Sequence, residues 1–377
     1  MKIYTNQNVE EAALERIELL FNEFETICVS FSGGKDSVVI LDLCLRVARK
    51  LNRLPLKVMF IDQEAEWNAT IELVKGVMYN PEVEPLWYQM PLRLFNATST
   101  EENWLQCWEV GKEHIHPQDP IAITENVYGS DRFVELFTQI AKKDFKKNFA
   151  MTTGVRAEES PTRTMGLTSF ATYKWITWGV RIDKPNRGFT FHPIYDWSYT
   201  DVWKYIFVHK CSYNKIYDFM YMHGVPINKM RVSNVHHETA VQSLFILQEF
   251  EPETYDKIVN RIAGISTATH LGVADTFVKE LPYMFKDWVD YRDYLLENII
   301  TKEEQRVLYR QKFIELDKRY SEMADMKYLY IAQINTLLVN DYHFTKLKNW
   351  EFAPDAAAYR NYHKGRGILK NHRYIKH

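Results

Sequence analysis

Cysteine is scarce in this chain: there are four, Cys28, Cys44, Cys107 and Cys211, among 377 residues. No two stand at CxxC spacing. That argues against a disulfide framework or a cysteine-held zinc site, and it fits a reducing cytoplasm. Long apolar runs are also missing; none approaches the ~20 residues of a membrane span. The opening stretch, "MKIYTNQNVEEAALERIELL", is polar and then amphipathic, unlike a secretory signal. The formal net charge is only −2, so nucleic-acid binding would have to come from a local basic patch. Internal repeats and low-complexity linkers are absent. Aromatic residues, in contrast, are plentiful, with 23 Tyr, 21 Phe and 10 Trp. Such side chains fill a large core or stack on bases. With 46% hydrophobic and 25% charged residues the composition is globular, and the length suggests two domains of roughly 100–200 residues each.

Apolar periodicity organises the first half. Residues 9–24 read as a helix, with Leu14, Ile17, Leu20 and Phe21 on one face. "TICVSF" is a short buried strand, and "DSVVILDLCLRVARKL" a helix with an apolar stripe of Val38, Leu41, Leu45 and Ala48. "LKVMFID" is a second strand and "EWNATIELVKGVM" a second helix. Strand, helix, strand, helix at this spacing predicts an α/β fold with a doubly wound, mostly parallel sheet. Residues 96–147 read as an insertion or as helices on one face. "FAMTTGV" is a further strand, and "GFTFHPIYDWSYTDVWKYI" leads through a turn into a helix. Beyond about residue 207 strand signals fade and helical patterns dominate, notably over 278–300 and 302–323. The expected division is an α/β domain over 1–207 and a mainly helical domain over 208–377 with a basic tail.

The stretch "ICVSFSGGKDS" carries the first chemistry. Four residues separate the glycines of a Walker loop, whereas Gly33 and Gly34 are adjacent here. The turn is short and opens a helix at Asp36 and Ser37. Free N–H groups and the dipole at that helix start favour a phosphate or pyrophosphate. The glycines allow close approach, Lys35 supplies positive charge, and Ser32 and Ser37 supply donors. Asp36 would repel bare phosphate, which suggests a bridging Mg²⁺. The plain alternative is a strand-to-helix turn capped by Asp and Ser.

"SGGKDS" resembles the PP-loop of the ATP pyrophosphatase superfamily, and more narrowly the chain resembles the phosphoadenosine-phosphosulfate (PAPS) reductase family. "MFIDQEAEW" (59–67), "TGVRAEESPTR" (153–163) and "HPIYDWSYTDVWKYI" (192–206) resemble that family's further blocks, in the same order. The resemblance covers roughly residues 20–210. It implies an adenine nucleotide alpha-hydrolase-like fold that binds ATP or a PAPS- or APS-like nucleotide. The adenine would lie near Val29, Ser30 and Phe31 and near Phe60 to Asp62. Gly154, Arg156 and Arg163 would meet phosphate or sulfate oxygens, with Lys35, Asp36 and Arg156 catalytic and Asp36 on the Mg²⁺. The chemistry implied is cleavage between the α and β phosphates. The second half is similar to proteins akin to the immunoglobulin-binding regulator A, often found beside a ParB-like partner.

Other readings of these residues are structural. Arg156 and Arg163 would also pair with Glu158 and Glu159, and Asp62 would also serve as a cap. Trp197, Asp201 and Trp203 read as packing and helix-start residues, whereas His192 is a candidate for the lining of the site. The "HIH" at 114–116 and "HH" at 236–237 lack the neighbours of a metal site. One departure matters: the cysteine-bearing C-terminal segment of true PAPS reductases is missing, as are the clustered cysteines of an iron–sulfur centre. Three readings follow: an ATP pyrophosphatase that adenylates or activates a substrate, sulfur transfer with a partner-supplied thiol, or a nucleotide-binding regulator. The tail from Arg360 to Lys376 holds six Lys and Arg, so nucleic acid is a candidate partner there.

Overall fold

The computed structural model describes residues 6–95, 104–145, 147–168, 170–227, 230–232, 241–262, 280–300, 302–323, 325–338, 341, 344–353, 356–357 and 359–360. The basic tail beyond Arg360 and the histidine pair at 236–237 lie outside them. The chain divides into two compact units. One is Met1–Leu94, Gln106–Asn234 and Ile246–Tyr255; the other is Phe95–Leu105, Val235–Phe245 and Asp256–His377.

The first unit begins with α1 (Val9–Glu23), whose N-cap Asn8 accepts from the Glu11 N–H. Then come β1 (Thr26–Ser30), α2 (Lys35–Lys50), β2 (Leu56–Ile61), α3 (Asn68–Met78), β3 (Val83–Tyr88), β4 (Leu92–Phe95), β5 (Trp104–Cys107) and α4 (Phe133–Asp144). β6 (Phe149–Thr152), α5 (Pro161–Thr168), β7 (Gly179–Asp183), β8 (Gly188–Phe191), α6 (Tyr199–His209) and α7 (Ile216–Met222) follow. Six strands form one sheet in the order β3-β2-β1-β6-β8-β7. Every pairing is parallel except that of β7 with β8. This is the doubly wound, mostly parallel sheet expected. Connections run outward from β1 to β2 and β3, and the chain then returns to the far side of β1 to make β6. The strand order reverses between β1 and β6, where ligands enter open α/β sheets.

α2 is buried beyond its expected stripe. Val39, Ile40, Leu43, Cys44 and Val47 join Val38, Leu41, Leu45 and Ala48 in the core. The helix lies against the sheet and also packs on α1 and α6. Its N-terminus is therefore held from several sides.

Several elements were not expected, among them β4 and β5, which pair in a sheet of their own where an insertion or helices were read over 96–147. β3 contains Pro85, which an edge strand tolerates because it has one ladder only. α5 lies in a polar stretch and starts with Pro161 at its first turn. β7 is short and partly exposed, which blurs its alternation.

α8 (Val241–Phe250) and α9 (Pro252–Arg261) follow α7. The second unit contains α10 (Trp288–Asn298), α11 (Glu303–Arg319), α12 (Lys327–Leu338) and α13 (Thr345–Glu351). Leu295, Tyr309, Phe313, Leu316, Ile334 and Leu337 are among the residues of its core. Buried Arg292 there is satisfied by Asp293, Asp317 and Gln333. The C-terminal region is helical, as its patterns predict.

Candidate functional site

The turn after β1 closes on itself. The Ser37 hydroxyl donates to the Gly34 carbonyl at 2.8 Å and lies 3.2 Å from both the Ser32 N–H and the Ser32 hydroxyl. Ser32 and Ser37 thus set the shape of the loop. Phe31 is buried and donates its N–H to Met59 at 2.8 Å, which ties the loop's start to β2. Ser30 ends β1 opposite Met59. Gly33 has φ +69°, and a Cβ there would lie 2.8 Å from the Thr70 methyl. Asn214 holds this contact in place, donating to the Gly33 carbonyl at 3.3 Å and to the Thr70 hydroxyl at 2.8 Å. Gly34 caps α2 without a side-chain hydrogen bond. The helix start therefore has no cap from its own turn; the Lys35 N–H instead meets the Tyr217 hydroxyl at 3.0 Å.

β6 brings the second wall. Gly154 follows it directly, and a Cβ at Gly154 would sit 2.6 Å from the Asp36 carbonyl carbon. That close approach puts Arg156, nine-tenths or more buried, across the start of α2. Its Nε donates to Asp36 Oδ1 at 2.6 Å, and its Nη1 to Glu158 at 3.0 Å and to the Trp197 carbonyl at 3.4 Å. Lys35 Nζ donates to Asp36 Oδ2 at 3.0 Å and to the Met230 carbonyl at 3.3 Å. Arg163 pairs with Glu159, and Arg231 donates to the Glu159 carbonyl at 3.3 Å. Four cations, Lys35, Arg156, Arg163 and Arg231, therefore gather around three carboxylates, Asp36, Glu158 and Glu159.

The charges are in tension. Burial first, then the Arg156 and Arg231 guanidiniums, hold the Lys35 ammonium below its ordinary value, and Asp36 only partly offsets them. Burial, Arg231 and Arg156 lower Arg163 in the same way. Excess positive charge at a helix start is what an anion would relieve.

Asp62 is bonded to residues other than those of the loop. It is fully buried, and its carboxylate accepts from the Glu64 N–H, Trp87 Nε1 and Gln89 Nε2 at 2.9, 3.0 and 2.9 Å. His116 lies 3.3 Å from it. Burial works against the His116 charge, but Asp62 outweighs it and raises His116. His192 sits behind β6, with its Nδ1 2.6 Å from the Thr153 hydroxyl. Ser198 caps α6 in a capping box with Asp201, and Trp197 is buried with its N–H on the Val9 carbonyl at 3.0 Å.

Both oxygens of Asp36 are engaged, one by Lys35 and one by Arg156. Among the described residues no group of three or more His, Cys, Asp or Glu could hold a metal ion. These residues do not fit a Mg²⁺ held by protein ligands alone.

Sequence patterns did not point to Tyr217, Asn214, Thr70 or Met230. The Tyr217 hydroxyl, from α7, accepts the Lys35 backbone N–H at 3.0 Å, so it stands at the helix start where an anion's oxygen would go. Only tertiary contact reveals it.

Fold and site together define a PP-loop protein: a phosphate-type turn after the first strand, at the switch point of a doubly wound sheet. The family model of the phosphoadenosine phosphosulfate reductase domain matches residues 26–223, and that of a domain of unknown function, DUF3440, matches residues 224–373. The chain belongs to the PAPS reductase-like family. The uncharacterized protein YbdN of Escherichia coli strain K12 is 30% identical to it over 314 residues, covering 78% of this chain and 75% of its own. Similar solved structures include the FMN adenylyltransferase of Candida glabrata in complex with FMN and the ATP analog AMPCPP (13% identity, 62% of this chain and 66% of that one, TM-score 0.37). The PAPS reductase of Candida auris, in a phosphate complex, is another (15% identity, 63% and 98%, TM-score 0.35). No helix among the described residues is long and apolar enough to cross a membrane.

Proposed function

We propose that the chain binds ATP at the start of α2 and cleaves it between the α and β phosphates, transferring the adenylyl group to an acceptor. The observation that carries this reading is the convergence of Lys35, Arg156, Arg163 and Arg231 around the start of α2, where Gly33 and Gly154 allow close backbone approach. Lys35 and Arg156 would stabilise the charge that builds on the departing pyrophosphate. Arg163, half-exposed, would swing from Glu159 onto the outer phosphate. Asp36 would act by holding Lys35 and Arg156 in position.

The thiols support adenylyl transfer over sulfur chemistry run by the chain's own cysteines. Cys28, Cys44 and Cys107 are buried. Burial pushes Cys44 up to about 12 and Cys211 up to about 11, and raises Cys28 as well. Thiols held in that range are protonated and poorly nucleophilic at neutral pH.

The test is ligand-induced stabilisation of the full-length chain. ATP at about 100 times its Kd adds about 2.7 kcal/mol of stability, which corresponds to a rise in Tm of roughly 5–10 °C for a domain of this size. Lys35→Ala and Arg163→Ala should each lose most of that rise. An unchanged rise in both variants would remove the site.

A further inference from the structure

Asn214 is completely buried just before α7. Its side chain makes three hydrogen bonds. Oδ1 accepts the Ile216 N–H at 3.1 Å, and Nδ2 donates to the Thr70 hydroxyl at 2.8 Å and to the Gly33 carbonyl at 3.3 Å. The backbone partners fix which end of the amide is which, because an N–H only donates and a carbonyl only accepts. One side chain thus joins the loop, α3 and the first turn of α7. From that same turn Tyr217 meets the Lys35 N–H.

The bond to the Gly33 carbonyl also sets the direction of an N–H. A peptide unit is planar and trans, so its C=O and N–H point opposite ways. With the Gly33 carbonyl drawn toward buried Asn214, the Gly34 N–H of the same unit points away from it. Gly34 is half-buried, and among the described residues nothing accepts its N–H. Among the described residues Asn214 is also the only partner of the Gly33 carbonyl. A unit between two glycines turns over easily. Turning it swings φ of Gly34 by about 180°, from −84° into the positive region, which glycine enters freely and other residues do not. The flipped unit presents a carbonyl where the N–H now stands. Asparagine opposes this because it donates; the near-isosteric aspartate can only accept and would draw the flipped N–H inward.

We propose that Asn214 is a positioning residue for the phosphates of the nucleotide proposed above, a reading on which this inference rests. It acts by holding the Gly33–Gly34 peptide with its N–H free for a phosphate oxygen. That N–H lies one residue before the Lys35 N–H, beside the cations gathered around the start of α2. The Thr70 hydroxyl takes the second Nδ2 hydrogen and so fixes the plane of the amide. Without Asn214 the unit samples both orientations. The flipped one sets a carbonyl against the phosphate, and the two negative ends repel. Binding must then select the unflipped orientation, and the apparent affinity falls with the fraction of molecules that hold it.

The experiment titrates ATP into the full chain by calorimetry. Asn214→Ala should weaken ATP roughly ten-fold or more, the worth of one hydrogen bond to a charged oxygen. Asn214→Asp keeps an acceptor for the Ile216 N–H and the Thr70 hydroxyl, and should weaken it at least as much. Melting without ligand shows that each variant folds. The deciding comparison is made in a Gly34→Ala background. Alanine suits the present φ of −84°, and its Cβ would meet the Ser32 and Tyr217 hydroxyl oxygens at an ordinary 3.5 Å. It does not suit the flipped unit, so it locks the peptide as Asn214 does. In that background Asn214→Ala should change ATP affinity by less than about two-fold. A purely structural asparagine would cost the same in both backgrounds. Equal affinity of wild type and Asn214→Ala, or an equal penalty in the two backgrounds, overturns the proposal and leaves the nucleotide reading standing. Gly34→Ala that binds no ATP overturns it as well, because the anion would then occupy the Cβ side of Gly34. Wild type that binds no ATP removes the nucleotide reading and this inference with it.

Discussion

At Gly154 the space for a side chain is already occupied by the backbone of Asp36. A Cβ would lie 2.6 Å from the Asp36 carbonyl carbon and 2.8 Å from its oxygen. Backbone cannot step aside as a flexible side chain would. Gly154→Ala should cost about 1–3 kcal/mol in chemical denaturation, as overpacking does, and should weaken ATP binding by pushing Arg156 off Asp36. Unchanged stability and binding would show that the two segments separate freely. His192 makes a second single-residue test. Burial, and then the charge of Arg163, hold its pKa down to about 4. The unfolded chain takes up this proton near pH 6.5, whereas the folded chain refuses it until about pH 4. The related stability is therefore full above about pH 6.5 and is lost as the pH falls through about 4. The loss amounts to roughly 3 kcal/mol at most. His116 runs the other way: its raised pKa stabilises the fold below its ordinary value and loses that effect as pH rises. Denaturation at pH 4.5 and pH 7 should show a smaller difference for His192→Gln than for wild type. Equal differences would mean that His192 titrates normally.

Among the elements, the start of α2 is the most informative. The β1 strand, the adjacent glycines and the helix that follows are legible in "ICVSFSGGKDS" because each signal is local: a buried apolar run, then Gly33 and Gly34, then an amphipathic helix. β6 and the start of α6 are legible for the same reason. β3 is not, because Pro85 argues against a strand unless the edge position is known. The roles of Tyr217, Asn214 and Thr70 are not legible either, because they meet the loop from far along the chain. Tyr217 yields the element-level prediction. Its hydroxyl now satisfies the Lys35 N–H at 3.0 Å. Tyr217→Phe leaves that N–H without a partner in the free protein, at a cost of about 1–3 kcal/mol. A phosphate oxygen would satisfy it again. The variant should be less stable when free yet bind ATP several-fold more tightly in titration. Weaker binding would mean that Tyr217 helps to hold the nucleotide.

On the scale of the whole molecule, the doubly wound sheet places the loop and Gly154 at the ends of β1 and β6, where the strand order reverses. The family membership agrees with that placement. The most direct measurement is the product of ATP turnover by the full-length chain, separated by anion-exchange chromatography. The account predicts AMP, free or joined to an acceptor, together with pyrophosphate. ADP together with inorganic phosphate would contradict it.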